Sequence, residues 1–192
     1  AGEPGSRLLG YAETAPYVRE ARSAGISSIC LELCPPKSAE DTRELIARMK
    51  DDGATAAQFN IEMYDQEARL KYMPFKGTIP AESYLMAIEE GAKTFGPGKV
   101  SSVLLLGFEG KEDVVRGANA ILAVGGIPSI ESFRMVPGIE ITRAPVEFSV
   151  EQVVGIVSEV TEMIVRKFGR EVSEIAEGCM RCRGCPLVFD MI

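Results

Sequence analysis

Three cysteines near the end of the chain, Cys179, Cys182 and Cys185, carry the strongest local chemical signal. Two-residue spacings let successive thiolates turn toward one metal ion or cluster, and Gly178, Gly184 and Pro186 suit the tight loop that such a site needs. The run reads as ligands of an iron–sulfur cluster or, second, of zinc, with no fourth ligand identifiable. Two more cysteines, Cys30 and Cys34, stand an even number of steps apart in an apolar run, so on a strand both face the same side. A buried cysteine acting as a small hydrophobe accounts for Cys30 more readily than ligation does. An odd total of 5 cysteines argues against a disulfide framework. The chain has no histidine, which excludes Ser–His and Cys–His nucleophile pairs and His-ligated zinc.

The elements that must position these groups alternate between short apolar runs and helical patterns. Ile26–Leu33, Ala56–Ile61, Val100–Leu106 and Ile127–Phe133 read as strands. Between them, Ser38 with Asp41 marks a helix start, and Leu45, Ile46 and Met49 give that helix one apolar face. Leu85, Ile88, Ala92 and Phe95 form a second stripe, and Val114, Ala118, Ile121 and Leu122 a third. Tyr64–Thr78 reads as irregular. A last helix over Ser149–Phe168 opens on Ser149 and Gln152, with Val150, Val153, Val157, Val160 and Ile164 expected to face inward. Strand–helix repetition predicts an α/β fold with parallel strands and right-handed crossovers. Periodicity alone leaves both a (β/α) barrel and a doubly wound sheet open.

In barrels of this kind ligands bind where strands end. The exits here carry Glu32 and Cys34, then Asn60 and Glu62, then Gly107 and Glu109, and finally Arg134. Polar groups at every exit point to one shared pocket.

These residues resemble a known family, the biotin synthase-like radical S-adenosylmethionine enzymes. Cys30 on its strand and the Asn60-Ile61-Glu62 triplet are similar to that family's third and fourth units. Val103–Asp113 is similar to the strand that meets the adenine, and Ser132–Gly138 to the final strand and its Pro-Gly turn. Gly2-Glu3-Pro4 looks like the family's Gly-Gly-Glu-Pro motif, with Ala1 in place of the first Gly. The resemblance implies a partial TIM-type (β/α) barrel, the C-terminal portion of a radical S-adenosylmethionine core. In that frame residues 1–148 form the partial barrel, 149–170 a helix closing its wall, and 171–192 a cysteine-rich tail expected to fold apart from it.

The resemblance further implies that Asn60 and Glu62 hold the ribose of S-adenosylmethionine and that Gly2 and Glu3 hold its methionine amine. Leu106, Gly107 and Glu109 would then meet the adenine, with Arg134 at the same mouth. Lys71 and Lys76 could pair with the methionine carboxylate but read first as solvated. The implied cofactors are S-adenosylmethionine and a [4Fe-4S] cluster, whose Cys-x3-Cys-x2-Cys loop is expected upstream, with an auxiliary iron–sulfur cluster at Cys179, Cys182 and Cys185. The implied partners are a small-molecule substrate and a reductant such as flavodoxin or ferredoxin. The alternative is a non-catalytic iron–sulfur or zinc-binding protein with a remnant barrel.

Composition bounds the rest. A net charge of −7 and a pI near 4.9 leave no basic surface for nucleic acid. No apolar run approaches the ~20 residues of a membrane helix. The first residues have no signal-peptide pattern, so the expected location is cytoplasmic.

Overall fold

Each apolar run of the sequence is short enough for one strand and is followed by a stretch with helical spacing, so the chain must wind back and forth through one sheet. The computed structural model describes residues 8, 10–134, 138 and 144–191. Helix α1 (Tyr11–Ser23) precedes β1 (Cys30–Glu32), α2 (Ala39–Asp52) and β2 (Ala56–Gln58). Then come α3 (Gln66–Tyr72), α4 (Pro74–Gly77), α5 (Ala81–Phe95), β3 (Val100–Leu106), α6 (Lys111–Ala123) and β4 (Ile127–Ser132). Helix α7 (Val150–Phe168) leads to two single turns, α8 (Val172–Ile175) and α9 (Cys179–Cys182), and to a 3-10 turn at Val188–Met191.

The strands form one 4-stranded parallel sheet in the order β1-β2-β3-β4. That order never reverses. Right-handed crossovers then place every connecting helix on the same face, which is how a barrel wall is wound; a doubly wound sheet needs a reversal. The fold is therefore α/β, a partial barrel wall of the TIM type. The helix-facing side is apolar: Val100, Leu104 and Leu106 of β3 join Ile88, Ile121 and Ile130 in one core. The other side carries the polar residues of β1, β2 and β4.

β1 and β2 are shorter than their apolar runs suggest. Thr55 Oγ1 accepts the Ile29 N–H at 2.9 Å, so the ladder starts only at Cys30. The stretch expected to be irregular holds α3 and α4. Asp65 is the local reason, because its side chain accepts the Ala68 N–H at 2.7 Å and starts α3.

Helix α2 begins at Ser38, whose side chain accepts the Asp41 N–H as the sequence predicts. Helix α7 carries a full capping box between Ser149 and Gln152. Replacing Ser149 by Ala should cost about 1 kcal/mol in urea unfolding, and no measurable loss would mean that tertiary packing alone sets this helix start. Val150, expected inward, is 74% exposed; Val157, Val160 and Ile164 are buried as expected, and Ile156 and Thr161 complete the buried face.

The tail does not fold apart from the wall. Val172, Ala176, Met180 and Val188 are buried in the same core as the sheet. Thr161 Oγ1 donates to the Val188 carbonyl at 2.9 Å, and the Leu187 N–H donates to the Ile130 carbonyl of β4 at 3.0 Å. Among the described residues no helix is long and apolar enough to cross a membrane.

Candidate functional site

On the face of the sheet away from the helices, alternation brings forward Cys30, Glu32 and Cys34 from β1 and its exit, Gln58 from β2, and Ser129 and Glu131 from β4. The exit of β2 then departs from regular geometry. The Phe59 N–H reaches the Ser101 carbonyl and the Glu62 N–H the Val103 carbonyl, so β2 spends one residue more than β3 over the same stretch. The Val103 N–H left over by this bulge is taken by Asn60 Oδ1 at 3.0 Å. Glu62 sits beyond it with φ 66, a left-handed conformation that a residue with a long side chain adopts only under constraint. Its backbone is pinned on both sides to β3, with the Leu105 N–H donating to the Glu62 carbonyl at 2.7 Å.

Asn60 and Glu62 therefore lie together, as the sequence suggests, but neither is idle. Asn60 Nδ2 donates to Glu32 Oε1 at 2.8 Å, which ties β2 to β1. Glu62 forms an ion pair with Lys76, whose ammonium also donates to the Asn60 carbonyl at 3.3 Å. Lys76 is thus engaged at the site rather than solvated. Lys71 lies over the Tyr72 ring, 4.9 Å from its centroid.

Among the described residues the charges at this end do not balance locally. Burial raises the pKa of Glu62, with Lys76 opposing and Glu32 adding to the rise. Burial raises that of Glu131 as well, and the Glu62 charge adds to it, while Arg134 opposes. The Cys34 thiol is raised by burial, against Lys76. Glu131 and Gln58 are site residues that sequence reasoning misses. Their signal is a charged or amide side chain inside an otherwise apolar run, in step with Ser129 and Asn60.

The other expected contacts turn elsewhere. Leu106 points its side chain into the helix-side core. Gly107, at φ 115, lies under Ala144, and its carbonyl accepts the Val146 N–H at 2.9 Å. Glu109 is buried and accepts the Asp65 N–H at 2.8 Å, pinning the start of α3 instead of facing the shared pocket. Among the described residues its other oxygen and Arg69 Nε are buried without a hydrogen-bond partner. Arg134 is exposed at the mouth. Gly2 and Glu3 lie outside the described residues, as does the segment 135–137 of the expected final turn.

Below this cluster, at the opposite end of the strands, the tail docks. Glu177 accepts from Ser28 Oγ at 2.8 Å, from Thr55 Oγ1, and from Lys99 Nζ at 2.5 Å. These three residues precede β1, β2 and β3, so one carboxylate ties the starts of the strands together. Burial works against its charge, yet Lys99, Thr55 and Ser28 hold its pKa below the usual carboxylate range. The next residues bring Cys179 under the sheet beside Cys30, while Cys182 and Cys185 remain exposed. Burial first, then the charges of Cys179, Glu177 and Glu32, pushes the Cys30 thiol up to about 12. Among the described residues no group of three or more Cys, Asp, Glu or His is arranged to hold a metal ion. Cys179, Cys182 and Cys185 thus form no ready-made cage by themselves, because Cys179 faces inward and the other two face solvent.

No family model matches the chain. Bacteriochlorophyllide c C-7(1)-hydroxylase of Chlorobaculum limnaeum is 29% identical over 119 residues, 61% of this chain and 29% of that protein. The chain thus matches less than a third of its curated relative's length. The crystal structure of SuiB from Streptococcus suis superposes with a TM-score of 0.51 at 9% identity, over 81% of this chain and 40% of that one. That likeness is one of fold.

Proposed function

We propose that this chain is the S-adenosylmethionine-binding part of a barrel in a radical S-adenosylmethionine enzyme that acts on a small-molecule substrate. The observation that carries the proposal is Glu62: a half-buried carboxylate, held left-handed at a strand bulge, paired with Lys76 and adjoining Asn60 at a strand exit. Strain and uncompensated charge of this kind are kept where a ligand uses them.

The donor set fits the ligand in its chemistry. S-adenosylmethionine carries a sulfonium and an ammonium against one carboxylate, and Glu32, Glu62 and Glu131 outnumber Lys76 and Arg134 at this end. Asn60 keeps one N–H and one carbonyl lone pair free beyond its present bonds, and the second Glu62 oxygen can accept from a ribose hydroxyl. Lys76 would hold Glu62 in place while that hydroxyl binds. The catalytic cluster is a different matter: no Cys-x3-Cys-x2-Cys set occurs in these 192 residues, so its ligands are not in this sequence and no step is derived through it. In such enzymes the bound S-adenosylmethionine and a reduced [4Fe-4S] cluster supply a 5′-deoxyadenosyl radical that takes a hydrogen atom from the substrate. The share of this chain is to orient the nucleoside and keep water from it.

The hydroxylase relative supports this chemistry, since hydroxylation at carbon breaks a C–H bond. A one-electron donor such as flavodoxin or ferredoxin belongs to the same proposal. Equilibrium dialysis against S-adenosylmethionine tests the site. Glu62→Gln is expected to weaken binding about tenfold, the loss of one charge-assisted hydrogen bond. Equal affinity in the variant and the unmodified chain would remove Glu62 from the site.

A further inference from the structure

The structure assigns Cys30 as the fourth thiolate of a metal centre whose other ligands are Cys179, Cys182 and Cys185. Sequence spacing offers only the last three, because Cys30 lies 149 positions upstream of Cys179. The fold removes that distance. A Cβ built on Gly178 would lie 2.6 Å from Cys30 Sγ and 3.0 Å from Cys30 Cβ, so the backbone just before Cys179 rests directly on the Cys30 thiol. Only glycine can make that approach, and Gly178 also holds φ 66.

Two further features serve the same convergence. Glu177, one residue earlier, is fixed by Ser28, Thr55 and Lys99, so the position of Cys179 beneath β1 is set by the sheet and not by the tail alone. After Cys182 the chain turns back through Arg183 at φ 58, and a Cβ on Gly184 would lie 3.4 Å from Cys182 Sγ. That turn keeps Cys185 beside Cys182. On the α9 turn Cys179 and Cys182 are three apart, a spacing from which both thiols can reach one centre. Ligation then requires Cys182 and Cys185, exposed in this structure, to rotate toward Cys179 and Cys30.

Four thiolates suit an iron–sulfur cluster or tetrahedral zinc; both draw on the same donor chemistry. Each sulfur ligates as thiolate, so a thiol that binds gives its proton to solvent and no electron is transferred. The centre lies under the start of β1, two residues before Glu32. Its binding is measured without S-adenosylmethionine, so it stands or falls apart from the function proposed above.

Cobalt(II) is the first probe, because its thiolate charge-transfer intensity counts sulfur ligands. In the anaerobic, reduced chain, Cys30→Ser should lower that intensity by about a quarter, from four thiolates to three. Cys34→Ser should leave it unchanged. Gly178→Ala should reproduce the Cys30→Ser spectrum, since a methyl there lifts Cys179 away from Cys30. Far-ultraviolet circular dichroism equal to that of the unmodified chain shows in each case that the fold is kept. Reconstitution with iron and sulfide, or with zinc, then identifies the metal, and in either case Cys30→Ser should lose it to a chelator at least about tenfold faster. Folded Cys30→Ser with undiminished cobalt intensity and unchanged metal release would overturn the assignment, as would an equal loss in Cys34→Ser.

Discussion

Replacing Glu177 by Ala is expected to cost the fold about 3 kcal/mol, the low end of the range for removing one partner of a buried, hydrogen-bonded ion pair. The low end applies because the Lys99 side chain remains 26% exposed, whereas that of Glu177 is 10% exposed. Three donors lose their acceptor at once: Ser28 Oγ, Thr55 Oγ1 and Lys99 Nζ. Because the folded state holds Glu177 below the ordinary carboxylate pKa, its contribution is present above the unfolded pKa and is lost as pH falls through the folded one. The deficit of the variant should therefore be full at neutral pH and shrink in acid. Urea unfolding at several pH values measures it, and the rate at which a thiol reagent reaches Cys30 should rise in parallel. A loss below about 1 kcal/mol would mean that solvent already screens the cluster.

Lys76→Met is expected to cost about 2 kcal/mol at neutral pH, since it leaves the half-buried Glu62 without its cation. The figure is modest for a buried pair because Lys76 is 23% and Glu62 13% exposed. Glu32, Glu131 and Cys34 face the same carboxylate and supply no positive charge. Burial already raises Glu62, and loss of Lys76 removes the interaction that opposes it. With a folded pKa raised above the unfolded value, the favourable contribution is present below the unfolded pKa and disappears as pH rises through the folded one. The deficit of the variant should grow as pH rises over that window. Adding Glu62→Gln should restore most of the stability, because a neutral amide needs no counter-charge. If the double variant is no more stable than Lys76→Met, the loss comes from packing of the lysine stem and not from charge.

Strand order and much of the helix pattern were legible in the sequence because each rests on local chemistry. Apolar runs of strand length, the Ser38 cap and the Ser149–Gln152 box all act within a few residues. Asn60 and Glu62 were also legible as a pair at a strand exit. Their partners were not, since Asn60 to Glu32, Asn60 to Val103 and Glu62 to Lys76 are contacts made by neighbouring strands and a returning loop. Glu109 misled because a polar residue after a strand can face the pocket or pin the next loop, and only the fold decides. The tail misled for a similar reason: the segment before Cys179 has few apolar residues, but Val172 and Ala176 are both wholly buried. Local polarity gave no hint that Glu177 would find three partners across the sheet.

The Glu177 latch also has a place in the order of folding. Its bond to Ser28 spans 149 positions and that to Thr55 spans 122, whereas β3 and β4 pair across fewer than thirty. Closing so long a loop costs entropy before any contact repays it, so the wall can assemble first and receive the tail afterwards. Interactions made after the rate-limiting step govern how fast the native state is lost rather than how fast it is gained. On that ground the lifetime of the closed molecule is set at Glu177 and Gly178, and stopped-flow unfolding of a Glu177 variant should be faster while its refolding limb stays in place.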